Sequence, residues 1–214
     1  MKSYLFSVLP FLLFIPFFQK DESKKADPSP LAVFSSEWND AKYLKCNTAA
    51  DSRYLSEDER KLICILNLLH TDPKLFANTV VAKYPEYMNK SYLKNVREYQ
   101  SLLDTLRKVR TLPLLYPDSL CFESATCQAV YAGKTAYVGH ERKTDECKTK
   151  KHYQGECCQY GYKDPLSVVM AFLIDLGSPS SGHRFLCLSD YGHIGVSIQP
   201  HTDYGDNTVI DFYY

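Results

Sequence analysis

The feature that most constrains this chain is a change of hydrophobic period along its length. Ser56 and Glu59 match a capping box, and Leu62, Ile65, Leu66 and Leu69 follow at helical spacing. Asp72-Pro73 breaks and restarts the chain, with aspartate as N-cap and proline at the first helical position. Leu75, Phe76, Val80 and Tyr84 then continue the helical spacing. A third helix is expected from Tyr92 to Val109, and a fourth from Asp118 to about Ala132. A short extended piece, Leu114-Leu115-Tyr116, lies between Pro113 and Pro117. Asp164-Pro165 opens a further helix that closes near Gly177. After it the period drops to two, in His193–Ile198 and in Thr208–Phe212, which read as strands joined through Gly205-Asp206-Asn207. Helices first and strands last predict an α+β fold, with helices packed on a small, mostly antiparallel sheet.

Between these elements, Gly133 to Asp164 is polar, glycine-bearing and holds Cys147, Cys157 and Cys158. It reads as a long loop; loops of that length in compact domains are usually functional or disordered, and here disulfides could pin it. The N-terminus tells how to read its cysteines. Lys2 precedes an uncharged, mostly apolar run from Ser3 to Phe18, which is the pattern of a secretory signal. The run is short for a membrane span and is interrupted by Pro10 and Pro16. Residues 1–19 are therefore expected to be a signal peptide or an uncleaved anchor, 20–55 a linker and irregular lead-in, and 56–214 the domain. The folded part is placed outside the cytoplasm, secreted or in the cell envelope, and the even count of 8 cysteines is read as disulfides. Membrane association is expected only if the N-terminal segment is retained. With 25 basic and 25 acidic residues the net charge is zero, which argues against a nucleic-acid partner.

Three polar residues stand out, each preceded by glycine: His140 after Gly139, Glu156 after Gly155 and His183 after Gly182. Two imidazoles and a carboxylate suit a divalent metal such as zinc, with His140 and His183 as the candidate ligands. They equally suit general acid–base work. No H-E-x-x-H and no G-x-S-x-G is present, so neither a zincin helix nor a nucleophile elbow has support. Cys157-Cys158 is read as disulfide-forming, not nucleophilic. His152 is read as solvated, His201 as a turn residue and minor candidate, and Arg184 as the partner of a carboxylate such as Asp175 or Asp190.

Seven segments occur in an order that resembles one family. They are N-L-L-H-T-D-P-K-L-F-A at 67–77, G-H at 139–140, G-E-C-C-Q-Y-G at 155–161, D-P-L-S-V-V-M-A-F-L-I-D-L-G at 164–177, G-H-R at 182–184, I-G-V-S-I at 194–198 and V-I-D-F at 209–212. The set resembles the CAP superfamily (cysteine-rich secretory proteins, antigen 5 and plant pathogenesis-related proteins) in its bacterial, SCP-like extracellular form. The resemblance implies an α-β-α sandwich and an exported protein. It also implies a cleft lined by His140, Glu156 and His183 that holds zinc or another divalent ion in some members. The asparagine of the family's G-E-N segment is replaced by Cys157, and the second glutamate of many members has no clear match, Asp175 being the nearest acid.

The function expected from this is a non-enzymatic binding module that presents the cleft to a lipid, a glycan or a cell-surface or host protein. The alternative is a metal-dependent, peptidase-like hydrolase that uses the same cleft to activate water.

Overall fold

The computed structural model describes residues 28–178 and 180–214. The expected signal or anchor lies outside the described residues, as do residues 20–27 of the expected linker. No helix among the described residues is long and apolar enough to cross a membrane.

The capping box forms as the residues dictate. Ser56 Oγ accepts from the backbone N–H of Glu59, and Glu59 Oε2 accepts from that of Ser56 at 2.7 Å. Helix α1 (Glu57–Thr71) starts there and buries Leu62, Ile65, Leu66 and Leu69. The other oxygen of Glu59 accepts from Ile198 N–H at 2.9 Å, so the same side chain caps α1 and ties it to the sheet. Asp72 caps α2 (Pro73–Phe76), which passes through one π turn (Ala77–Val81) into α3 (Ala82–Tyr87). Helix α4 (Arg97–Lys108) begins five residues later than its apolar pattern suggests, because Ser91–Asn95 forms a separate 3₁₀ turn. Asp118 caps α5 (Ser119–Thr135) through Cys121 N–H.

The sheet has four strands in the order β1 (Tyr116–Pro117), β3 (His193–His201), β4 (Gly205–Tyr213) and β2 (Gly155–Tyr160). β1 runs parallel to β3, and the other two pairings are antiparallel. The β3–β4 turn falls at 202–204, ahead of the expected Gly205-Asp206-Asn207, because those residues are already paired. Side chains alternate across the sheet. Cys157, Ile194, Val196, Ile210 and Phe212 enter the main core with residues of α1 and of α7 (Pro165–Ile174). On the other face Cys158 and Val209 meet Ala125 and Ala129 of α5. Helices thus lie on both faces of the sheet, an α+β fold in sandwich form.

Two expectations are corrected. The stretch from Gly133 to Asp164 is not one loop: it contains α6 (Asp145–Thr149) and β2. β2 escaped detection because G-E-C-C-Q-Y has neither β-branched residues nor polar alternation; it is covered on both faces. The lead-in from residue 31 is irregular apart from short 3₁₀ turns, yet Leu31, Phe34, Trp38, Tyr43 and Cys46 sit in the main core. Trp38 Nε1 donates to Thr79 Oγ1 at 3.0 Å, and buried Asn67 donates to Cys46 O and Leu115 O, so this segment is fastened to the helices.

Candidate functional site

The loop after α5 needs glycine at position 139. Gly139 has φ 142°, and a Cβ there would lie 2.7 Å from the Tyr137 hydroxyl oxygen. Its N–H donates to Tyr160 Oη and its carbonyl accepts from Gln128 Nε2, both at 2.9 Å. This fixes the backbone from which His140 projects. The imidazole is about half exposed, and its Nδ1 lies 2.9 Å from Oε1 of Glu156 on β2.

Glu156 is buried and its second oxygen pairs with the Arg142 guanidinium. Arg142 also reaches Asp211 Oδ2 at 3.2 Å and Ser124 Oγ at 3.3 Å. Glu156 and Asp211 are direct cross-strand neighbours, so two carboxyls share one buried cation. Burial raises the Glu156 carboxyl, but the His140 hydrogen bond and the Arg142 charge outweigh it and hold the group below its ordinary range. Burial and the adjacent Glu156 charge push Asp211 well above its ordinary range. Of the two carboxyls, Glu156 therefore gives up its proton first and Asp211 holds on to its own to higher pH.

His183 is held from a different direction. It lies near the start of α8 (Gly182–Cys187), after α7 has ended on Asp175 in the left-handed region at φ 52°. That backbone aims the Asp175 carboxylate at His183. Oδ1 takes the ring Nδ1 and Oδ2 accepts from the backbone N–H, each at 2.9 Å. Gly182 contributes little to this: a Cβ there would make only an ordinary contact, and the left-handed residue is Ser181. Arg184 does not pair with a carboxylate as expected. Its guanidinium donates to the carbonyls of Leu173, Ile174 and Glu98 and to Ser101 Oγ, clasping the end of α7 to α4.

The two rings come together with centroids 6.2 Å apart. In each, a carboxylate can only accept, so a neutral imidazole donates through Nδ1 and leaves Nε2 as an acceptor. His201 stands apart. It is buried, with Nδ1 accepting from Asp203 N–H and Nε2 directed at Tyr137 O, a structural set.

Cys157 and Cys158 point to opposite faces of β2 and are free thiols, contrary to the expected disulfides; so are Cys46, Cys64, Cys121 and Cys187. Cys147 is bridged, to Cys127, and joins α6 to α5. The Cys158 thiol lies 3.6 Å from His140 Nδ1, but burial and Glu156 push it well up and keep it protonated, which unfits it as a nucleophile. His140, Glu156 and Cys158 offer nitrogen, oxygen and sulfur within 4.8 Å of one another, a donor set that zinc accepts. His183 is not part of that trio.

Beside His183 opens a cavity of about 390 Å³. Tyr84, Tyr92, Tyr160, Tyr162, Tyr204 and Phe172 form much of its wall, with Lys90, Ser167, Asp175 and His183 among its polar groups. Lys90 Nζ donates to Tyr162 Oη at 2.9 Å.

Of the residues singled out from the sequence, the fold brings His140 onto Glu156 and the His183 ring beside that of His140; sequence reasoning did not single out Arg142, Asp175 as the anchor of His183, or Asp211. An acid between apolar residues in V-I-D-F was the available signal for Asp211. No family model, no curated protein and no solved structure matches this chain.

Proposed function

We propose that the chain is an exported CAP-like binding module whose tyrosine-walled cavity, together with His183 and Asp175, takes a glycan without cleaving it. The observation that carries this reading is the cavity wall itself. Tyr92, Tyr162 and Tyr204, the exposed ones among its tyrosines, give flat faces on which sugar rings stack, and the Tyr92 and Tyr204 hydroxyls pair with theirs. With Nδ1 held by Asp175, Nε2 of His183 is left to pair with a further sugar hydroxyl. The order of the seven segments and the helices on both sheet faces support the family reading.

One observation favours the hydrolase alternative, the convergence of His140, Glu156 and Cys158. Against it, Glu156 already serves His140 with one oxygen and Arg142 with the other. A metal on Oε1 would have to displace the hydrogen bond that holds the His140 ring.

Saturation-transfer NMR with the N-acetylglucosamine tetramer and with palmitate tests the proposal. The expected result is transfer to the tetramer, which is recovered intact by mass spectrometry with or without added zinc. Transfer to palmitate alone would replace the glycan by a lipid, and shortened oligosaccharide would replace binding by hydrolysis.

A further inference from the structure

A second convergence of ligand atoms lies behind the cleft, where α5 begins. We propose that Asp118, Cys121 and His152 form a divalent-metal site of the zinc type, separate from the His140–His183 cleft. Their ligand atoms lie within 4.8 Å of one another. Asp118 and Cys121 are three residues apart across the start of α5, which puts them on one face of its first turn. His152 comes from the segment just before β2, so the three donors join two separate parts of the chain.

Each donor is positioned before any ion arrives. β3 runs so close to α5 that a Cβ on Gly195 would sit 2.1 Å from the Cys121 carbonyl carbon, which leaves the Cys121 backbone no room to move toward the sheet. Asp118 N–H donates to Ile194 O, and its Oδ1 takes Cys121 N–H at 2.8 Å. The His152 ring stacks on Tyr213 with centroids 4.4 Å apart, and its backbone N–H donates to Ser124 Oγ. Among the described residues, the ring nitrogens of His152 have no hydrogen-bond partner within the protein, and Cys121 is a buried free thiol. The His152 ring is half-buried, one face covered by Tyr213, and so less solvated than its neighbours Lys151 and Tyr153 suggest.

The charges also fit. Without metal, burial and the neighbouring Asp118 push the Cys121 thiol well up and keep its proton on; a metal that displaces that proton would meet one carboxylate and one thiolate, which neutralise a divalent cation as a half-buried site requires. The nitrogen, oxygen and sulfur donors match zinc, and three protein ligands leave a fourth position to water. The site bears on the cleft through Ser124, whose hydroxyl oxygen accepts from both His152 N–H and Arg142. A metal on His152 would hold the segment leading into β2 and thereby the Arg142–Glu156 pair behind His140.

Cobalt(II) titration of the metal-free full-length protein, followed by thiolate-to-cobalt absorption, tests the site. The wild type is expected to bind one equivalent with a charge-transfer band. The band is expected to persist in His140→Ala/Cys158→Ser, which removes the other mixed cluster. It is expected to vanish in Cys121→Ser, with folding checked by circular dichroism. His152→Ala, a change at a half-buried ring, should weaken cobalt binding at least about tenfold and keep the fold. No band in the wild type, a band that survives in Cys121→Ser, or one lost in His140→Ala/Cys158→Ser would overturn the proposal.

Discussion

Arg142 faces two carboxyls, and the burial and Glu156 charge that raise Asp211 ease the imbalance by favouring its protonated form. A carboxyl whose folded pKa is raised costs nothing below its unfolded value, about 3.9, and costs increasingly as pH rises toward its folded value. Asp211→Asn removes that cost and keeps a donor for Glu156. The variant is expected to match the wild type near pH 4 and to gain on it as pH rises, with a slope of at most about 1.4 kcal/mol per pH unit. Urea unfolding across this range checks it; a variant that loses stability as pH rises would show that Asp211 is ionised in the fold. Glu156 works in the opposite sense. Its lowered pKa contributes stability above the unfolded value, about 4.3, that disappears as pH falls through the folded one. At this scale the sequence reveals residue types but not partners. His140, Glu156 and His183 stand out because each follows a glycine. Arg142 does not, because nothing near it in the chain says that it turns inward to meet a strand that comes 69 residues later.

The elements are legible where local chemistry decides them. Ser56 with Glu59, Asp72 with Pro73, Asp118 and Asp164 each cap a helix as their residue types predict. What remained hidden depends on partners distant in sequence. β2 is a strand because β4 pairs with it, and Ser91–Asn95 leaves the helical path although its apolar spacing continues. Gly195 shows how close the layers come. A methyl there would meet the backbone of Cys121 and Phe122, so Gly195→Ala must push α5 off the sheet. The expected cost is about 1–3 kcal/mol, read by chemical denaturation, and accompanied by greater reactivity of the Cys121 thiol. An unchanged midpoint would mean that the two elements are not held at this separation.

Over the whole molecule, the sandwich arrangement sets where chemistry can occur. Five of the expected helices and both C-terminal strands are present, and α5 closes one face of the sheet while α1 and α7 close the other. The cleft forms where segments from both faces meet: His140 from the loop after α5, and His183 from the helix after α7. The cysteines are used differently from the reading of them as a disulfide framework. The Cys127–Cys147 bridge fastens α6 to α5, and its removal by Cys127→Ser/Cys147→Ser is expected to cost about 3 kcal/mol in urea unfolding, since it closes a loop of 20 residues. The tyrosine cavity remains the feature on which the functional account stands. Calorimetric titration with the N-acetylglucosamine tetramer of the wild type and of Tyr92→Ala/Tyr204→Ala, two side chains about half exposed at its wall, tests that account most directly. Saturable one-to-one binding that weakens at least about tenfold in the variant is the predicted result. Absence of binding in the wild type, or equal affinity in both proteins, would contradict it.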